Sequence, residues 1–209
     1  MNEFLQFDRR IAIVVGANFL AVAARMSLVT FLGIYFVRHA GIPLATVGVA
    51  FLCESAMRGL AAPMFGALSD RIGRRALLVA SALATAAVLP AFLLVDGTTA
   101  LLAWSLALGL VGAVNMPMAA ALLLDLAPAD RRQSVLALNY TAMSVAYTLG
   151  VMPAGYVAQQ GYGALAIVSG VGYLLVAALY LATLRRPLPC SQPSRPRRSS
   201  RSSRSATIR

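Results

Sequence analysis

The chain has 209 residues, of which 59% are hydrophobic and 12% are charged, and its mean hydropathy is +0.76. This composition excludes an ordinary soluble domain and is typical of a protein that lies within a lipid bilayer. A helix needs roughly 20 apolar residues to cross a hydrocarbon core of about 30 Å, so the length allows about six or seven spans. The formal net charge of +11 is the difference between 18 basic and 7 acidic residues, and all of the basic residues are arginines.

Six apolar segments follow one another along the chain, each bounded by charged residues or by proline and glycine turns. They cover residues 11–37, 44–68, 76–95, 99–126, 134–158 and 162–184. Strands of a transmembrane β-barrel would alternate polar and apolar residues, whereas a run such as Ala76–Leu89 is apolar on every face. The sequence therefore predicts an all-α protein with six transmembrane helices. Pro117 and Pro153 lie within spans and are expected to kink them.

The distribution of arginines predicts the orientation of these helices, because cytoplasmic loops carry an excess of basic residues. If the N-terminus is inside, the cytoplasmic side holds fifteen arginines and the outer side holds only Arg38. We therefore expect a multi-pass protein of the inner or plasma membrane with both termini in the cytoplasm.

The end of the chain differs in composition from the rest. Residues 187–209 are rich in Ser, Arg and Pro, and such a segment cannot bury enough apolar surface to fold. We expect a six-helix bundle over residues 1–186 followed by a disordered cytoplasmic tail. The arginines of the tail could bind anionic lipid. The alternatives are a solvated end without a role and sequence translated out of frame after a truncation.

The most specific motif lies between the second and third apolar segments. It matches the pattern G-x-x-x-D-R-x-G-R-R and reads Gly66-Ala-Leu-Ser-Asp70-Arg71-Ile-Gly73-Arg74-Arg75. A glycine at position 66 would let two helices approach closely, and one at position 73 would permit a tight turn. Asp70 lies where a helix should end, so the arginines that follow could pair with it.

This motif, at this place in the chain, resembles the signature loop of the major facilitator superfamily of secondary transporters. The run Asp125-Leu-Ala-Pro-Ala-Asp130-Arg131-Arg132 is similar to the corresponding loop after the fourth helix of that family. The resemblance implies that Asp125 pairs with Arg71 or Arg74. It also implies two inverted three-helix repeats, and it covers the N-terminal half of a transporter that normally has twelve helices.

The resemblance is incomplete in the fourth and fifth segments. Proton-coupled drug antiporters of the family carry a buried arginine in the fourth helix, whereas Leu101–Leu124 has no charge. Their glycine-rich run in the fifth helix is kept only in part, over residues 146–155. These differences argue against drugs as cargo and against antiport.

Three charged residues lie within the predicted spans: Arg25, Glu54 and Arg58. An unpaired charge there costs at least about 2.5–3.5 kcal/mol, so such residues are functional hypotheses. At 1.5 Å per residue, Arg25 and Glu54 each lie about 21 Å from the cytoplasmic ends of their helices. Glu54 and Arg58 share a helix face at i, i+4. The excess positive charge suits an anionic substrate or a proton relay through Glu54, and the structural alternative is a salt-bridge network that locks two helices. Weaker candidates for lining a cavity are Asn18, Asn115, Tyr140 and Tyr147.

These features predict secondary active transport of a small solute by alternating access, driven by an ion gradient, with protons as the first expectation. No enzymatic activity, cofactor, metal or nucleic acid is expected, because the chain lacks a histidine within a span and any lysine for a Walker-type ATP site. The expected cytoplasmic gating motif comprises Gly66, Asp70, Arg71, Gly73, Arg74, Arg75 and Asp125. Two alternatives remain: a truncated remnant that inserts without transporting, and a half-transporter that pairs with itself or with a separate six-helix half.

Overall fold

The computed structural model describes residues 9–184, and these residues form a bundle of helices without a strand. The helices are α1 (Arg9–Arg38), α2 (Leu44–Ile72), α3 (Arg74–Val88), α4 (Thr98–Gly112), α5 (Asn115–Leu126), α6 (Arg132–Gln160) and α7 (Tyr162–Leu184), and a short 3-10 helix (Pro90–Leu94) continues α3. The predicted tail, residues 187–209, lies outside the described residues.

Six stretches of the described chain are long and apolar enough to cross a membrane. The first, second, fifth and sixth of these spans are α1, α2, α6 and α7. The third span is α3 with its 3-10 extension, and the fourth is α4 together with α5. The prediction of an all-α protein with six spans is confirmed, because each span overlaps one of the apolar segments of the sequence.

The fourth span is divided where α4 ends at Gly112 and α5 begins at Asn115. Pro117 explains the division, since proline has no N–H and its ring collides with the carbonyl group four residues earlier. That carbonyl belongs to Ala113, which lies in the break. In contrast, α6 continues through Pro153 as one helix.

The packing of the bundle centres on α1, which lies along both α6 and α7. The other extensive contacts are those of α2 with α4 and of α3 with α7. At two of these crossings, a Cβ added to a glycine would collide with the backbone of the neighbouring helix. A Cβ added at Gly150 of α6 would lie 2.6 Å from the carbonyl oxygen of Ala23, and one added at Gly109 of α4 would lie 2.4 Å from that of Glu54. Small residues of this kind allow helix backbones to meet within a membrane.

Large apolar side chains cover the outside of three helices. α2, α6 and α7 expose residues such as Leu52, Leu60, Met64, Met152, Tyr156, Ile167 and Leu174. In a membrane protein an apolar surface of this kind contacts lipid or another helix bundle, since both are as apolar as the side chains themselves.

Candidate functional site

The three charged residues within the spans meet inside the bundle. Arg25 of α1 and Arg58 of α2 each donate a hydrogen bond from Nη2 to the same atom, Oε1 of Glu54 on α2. Glu54 is 5% exposed and Arg25 is 9% exposed, whereas the side chain of Arg58 is about one-third exposed at 34%. Two guanidinium groups thus share one carboxylate, and with all three groups ionised the charge cluster (Arg25, Glu54 and Arg58) has a net charge of +1.

Two glycines of α4 make room for the charge cluster. Gly109 allows the backbone of α2 to approach at Glu54, as described above. Gly112 lies almost one turn later on the same helix. A Cβ at Gly112 would lie 3.3 Å from Nε of Arg58 and 3.5 Å from Nη1 of Arg25. A methyl group at position 112 would therefore press on the guanidinium group of Arg58 and contact that of Arg25.

A cavity of about 50 Å³ lies beside the charge cluster. Its walls belong to α1, α2, α3, α4, α5, α6 and α7 and comprise Ala21, Val22, Arg25, Met26, Arg58, Thr85, Gly112, Asn115, Met116, Tyr147 and Tyr173. One water molecule needs about 10–15 Å³ of such volume, so the cavity has room for a few waters or for the polar end of a small solute. Tyr147 and Met116 are exposed, so the cavity reaches the surface of the bundle beside them.

The two arginines keep hydrogen-bonding capacity that Glu54 does not use. A guanidinium group has five N–H donors in a rigid plane. The Nε atoms of Arg25 and Arg58 are both buried, and neither has a hydrogen-bond acceptor among the described residues. Leaving a buried donor without an acceptor costs about 1–3 kcal/mol, so the two Nε groups make the charge cluster less stable than a fully hydrogen-bonded one.

A second polar feature links four helices next to the cavity. Asn115 of α5 donates to Oδ1 of Asn18 on α1 at 3.4 Å, and Asn18 donates to Oδ1 of Asn139 on α6 at 3.0 Å. The hydroxyl group of Tyr180 on α7 lies 3.3 Å from Oδ1 of Asn115 and donates to it. Because Asn115 also lines the cavity, this amide chain (Asn18, Asn115, Asn139 and Tyr180) extends its polar surface across the bundle.

One ion pair of the gating motif joins the ends of two helices. Arg74, at the start of α3, donates from Nη1 to Oδ2 of Asp125 at 2.6 Å and to the carbonyl oxygen of Ala121 at 3.1 Å. Asp125 lies near the end of α5, so the pair ties α3 to α5. Gly73 has φ = 94°, in the left-handed region that favours glycine, and it makes the turn between α2 and α3.

Other members of the gating motif are placed differently from the sequence-based expectations. Asp70 and Arg71 are exposed, and neither forms an ion pair within residues 9–184, so the expected pairing of Asp70 with the following arginines is not found there. A Cβ added at Gly66 would meet no atom within 4 Å, so no other described helix approaches it closely. Arg75 is partly buried. Of the two partners implied for Asp125, the structure selects Arg74.

Comparison with known proteins identifies the family. The profile of the Major Facilitator Superfamily matches residues 14–208 of the chain. The chain belongs to the major facilitator superfamily. It is also 32% identical over 127 residues to a protein of Planococcus maritimus described as a Na(+), Li(+), K(+)/H(+) antiporter. That match covers 57% of this chain and 29% of the relative, so the chain matches less than a third of the relative's length.

The family and the relative both point to membrane transport and not to an enzyme. Together with the six apolar spans, they make this member of the major facilitator superfamily a multi-pass membrane protein.

Sequence reasoning found some residues around the cavity of this major facilitator and missed others. Asn115 and Tyr147 line the cavity as expected. Asn18 does not line it but accepts a hydrogen bond from Asn115, and Tyr140 is not among the lining residues. Residues that were missed are Thr85, Asn139, Tyr173 and Tyr180. A polar residue within an apolar segment was the available signal for each, but such residues often serve only to hydrogen-bond two helices.

Proposed function

We propose that this chain carries a small solute across the inner or plasma membrane by secondary active transport with alternating access, driven by an ion gradient. The observation that supports this most strongly is the buried charge cluster beside a cavity, in a chain of the major facilitator superfamily. Charges within membrane-spanning helices are rare, and they commonly mark the path of a substrate or a proton.

Glu54 is the proposed proton carrier of the site. It is the one carboxylate of the charge cluster, and it holds both arginines through a single oxygen atom. Protonation of Glu54 would weaken both ion pairs at once and release two guanidinium groups toward the cavity. A proton gradient could in this way drive the binding and release of a solute at Arg25 and Arg58.

The gating motif is proposed to act as a cytoplasmic latch formed by Asp70, Arg71, Arg74 and Asp125. The pair of Arg74 with Asp125 supports this role, because it links α3 to α5 at one end of the bundle. Asp70 and Arg71 are exposed near that end and are available to a second helix bundle. The arginine bias of the sequence supports placing this end, and both termini, in the cytoplasm.

We also propose that the six spans form two inverted three-helix repeats. In such a repeat, α1 corresponds to α4 with α5, α2 corresponds to α6, and α3 corresponds to α7. The contact of α1 with α6 then corresponds to the contact of α4 with α2. The contact of α3 with α7 maps onto itself. Both exchanged contacts contain a close glycine crossing, at Gly150 and at Gly109. This packing pattern is the one that a repeat would produce.

Alternating access in this family needs two six-helix bundles that rock about a central site. We propose that the bundle described here works against a second one, which would be another copy of this chain or a separate six-helix half. The apolar surface exposed on α2, α6 and α7 supports this proposal, since part of it could be covered by such a partner. An inserted bundle that transports nothing is the alternative.

Transport can be tested with the full chain in proteoliposomes that contain a pH-sensitive dye. After a pH gradient is imposed, the sodium, lithium and potassium chlorides and lactate are added in turn, each with protein-free liposomes as the reference. We expect proton movement that depends on one of these solutes, is lost in Glu54→Gln and is retained in Asp96→Asn, whose side chain is exposed. If no solute moves protons beyond the protein-free reference, transport by this chain alone is contradicted.

A further inference from the structure

We infer that the cavity beside Arg25 and Arg58 binds a small organic anion with a single carboxylate group and an apolar body. The inference rests on the proposed function and names the substrate class of the same site. The inferred substrate is an anion, whereas the name of the Planococcus maritimus relative gives cations as its substrates.

The charge of the site favours an anion. Two guanidinium groups and one carboxylate leave an excess of one positive charge, and the carboxylate of Glu54 is already shared by both arginines. A cation in the cavity would lie against the two guanidinium groups and would have no free carboxylate to bind within the described residues that line it. An anion would neutralise the excess charge in surroundings of low dielectric constant, where such a charge is costly.

The hydrogen-bond donors of the site fit a carboxylate group. Each arginine uses Nη2 for Glu54, and its Nε remains buried without an acceptor among residues 9–184. Arg25, 9% exposed, is nine-tenths buried and lines the cavity together with Arg58. A planar guanidinium group binds a carboxylate through two parallel N–H···O bonds, which an ammonium or hydroxyl group cannot accept. A side chain at position 112 would contact both groups, and Gly112 has none.

The rest of the cavity selects the body of the ligand. Beyond the two arginines, its lining is largely apolar or aromatic, as at Met26, Met116 and Tyr147. The other polar groups there, the side chains of Thr85 and Asn115 and the hydroxyl groups of Tyr147 and Tyr173, carry no positive charge that could bind a second carboxylate. Because the cavity opens beside Met116 and Tyr147, the apolar body of the ligand can extend toward that opening while its carboxylate group stays at the arginines. This arrangement favours a monocarboxylate over a dicarboxylate or an inorganic anion.

The test is equilibrium binding of radiolabelled benzoate to the purified full chain in detergent. Benzylamine, which is a cation of similar shape at neutral pH, and benzyl alcohol, which is neutral, serve as competitors. We expect benzoate to bind, with neither competitor displacing it. Arg25→Gln and Arg58→Gln should each weaken binding about tenfold or more, because each removes hydrogen bonds to a charged group. The matched control is Arg38→Gln, at the exposed end of α1, which should bind as the unaltered chain does.

The variant Glu54→Gln distinguishes a ligand-binding site from a salt-bridge network that only holds α1 and α2 together. The carboxylate of Glu54 competes with the ligand for both arginines, so its removal should raise the affinity for benzoate about fivefold to tenfold. A gain in affinity cannot arise from misfolding, which keeps this outcome informative if the arginine variants fold poorly. Equal binding by Arg25→Gln, Arg58→Gln and the unaltered chain would overturn the inference, as would displacement of benzoate by benzylamine.

The two proposals fail in different ways. If benzoate does not bind while the proteoliposomes show flux of sodium, lithium or potassium, the substrate class is wrong and transport stands. If benzoate binds with the expected dependence on Arg25, Glu54 and Arg58 while no flux is seen, the substrate class stands and transport by this chain alone is contradicted.

Discussion

Arginine pairs with a carboxylate at two depths of this bundle, and the two places differ in burial. In the charge cluster, Glu54 is almost fully buried and holds two arginines. At the end of α5, the side chain of Asp125 is 49% exposed and pairs with Arg74, whose side chain is 34% exposed. Breaking a buried ion pair by removing one partner costs about 3–5 kcal/mol, whereas an exposed pair is worth about 0.2–1 kcal/mol.

This difference indicates two roles for the same chemistry. The charge cluster cannot lose the carboxylate of Glu54 without leaving two guanidinium groups uncompensated inside the bundle, so another anionic group would have to take its place. The pair of Arg74 with Asp125 can open and close at little cost, which is what a latch requires.

Glu54→Ala should have the largest effect on stability. It leaves Arg25 and Arg58 close together without their shared carboxylate, and we expect the free energy of unfolding to fall by about 3–5 kcal/mol. Unfolding of the purified chain can be followed by circular dichroism during titration with sodium dodecyl sulfate. Asp96→Ala, an exposed acid, is the control and should change little. A loss below about 1 kcal/mol for Glu54→Ala would show that the charge cluster behaves like a surface pair.

Gly109→Ala should have the second largest effect on stability, because its methyl group would lie 2.4 Å from the carbonyl oxygen of Glu54. α2 and α4 must then move apart, and overpacking of this kind costs about 1–3 kcal/mol. Gly59→Ala on α2 is the matched control, since a Cβ there meets no atom within 4 Å. The same titration compares the two variants. Equal stability of the two would mean that α2 and α4 do not cross closely at Glu54.

Asn18→Ala should have an intermediate effect. The side chain of Asn18 is fully buried and takes part in two hydrogen bonds, to Asn139 and from Asn115. Hydrogen bonds between membrane-spanning helices are worth about 0.6 kcal/mol each on average, so a loss of about 1–2 kcal/mol is expected. Thr141→Ala on α6 is the control, because its exposed hydroxyl group bonds only within its own helix. If both variants lose the same stability, the amide chain does not join the helices.

Asp125→Asn should change stability least, by less than about 1 kcal/mol, because the pair with Arg74 is exposed and screened by salt. Its effect should instead appear in the rate of solute-dependent proton movement in proteoliposomes, since the latch would open more easily. Asp130→Asn in the loop after α5 is the control. An unchanged rate for Asp125→Asn, or a stability loss as large as that of Glu54→Ala, would contradict a latch.

The sequence by itself determined the class of the protein and the positions of its six spans. Runs of apolar residues as long as a bilayer is thick can satisfy their backbone groups only as helices, so this part needs no knowledge of tertiary contacts. The turn at Gly73 also follows from local backbone chemistry, whereas proline alone does not determine a division, since the fourth span is divided near Pro117 and α6 continues through Pro153.

The tertiary structure alone decided which polar groups meet. Equal depth suggested that Arg25 could reach Glu54, but only the packing of α1, α2 and α4 shows both arginines on one oxygen atom of that carboxylate. Likewise, only the structure selects Arg74 as the partner of Asp125 and brings Asn139 and Tyr180 into the amide chain. The physical reason is that these helices are apolar on most faces, so hydrophobic periodicity does not specify which face turns toward a neighbour. That choice depends on close glycine crossings such as Gly109 with Glu54, which join residues far apart in the chain.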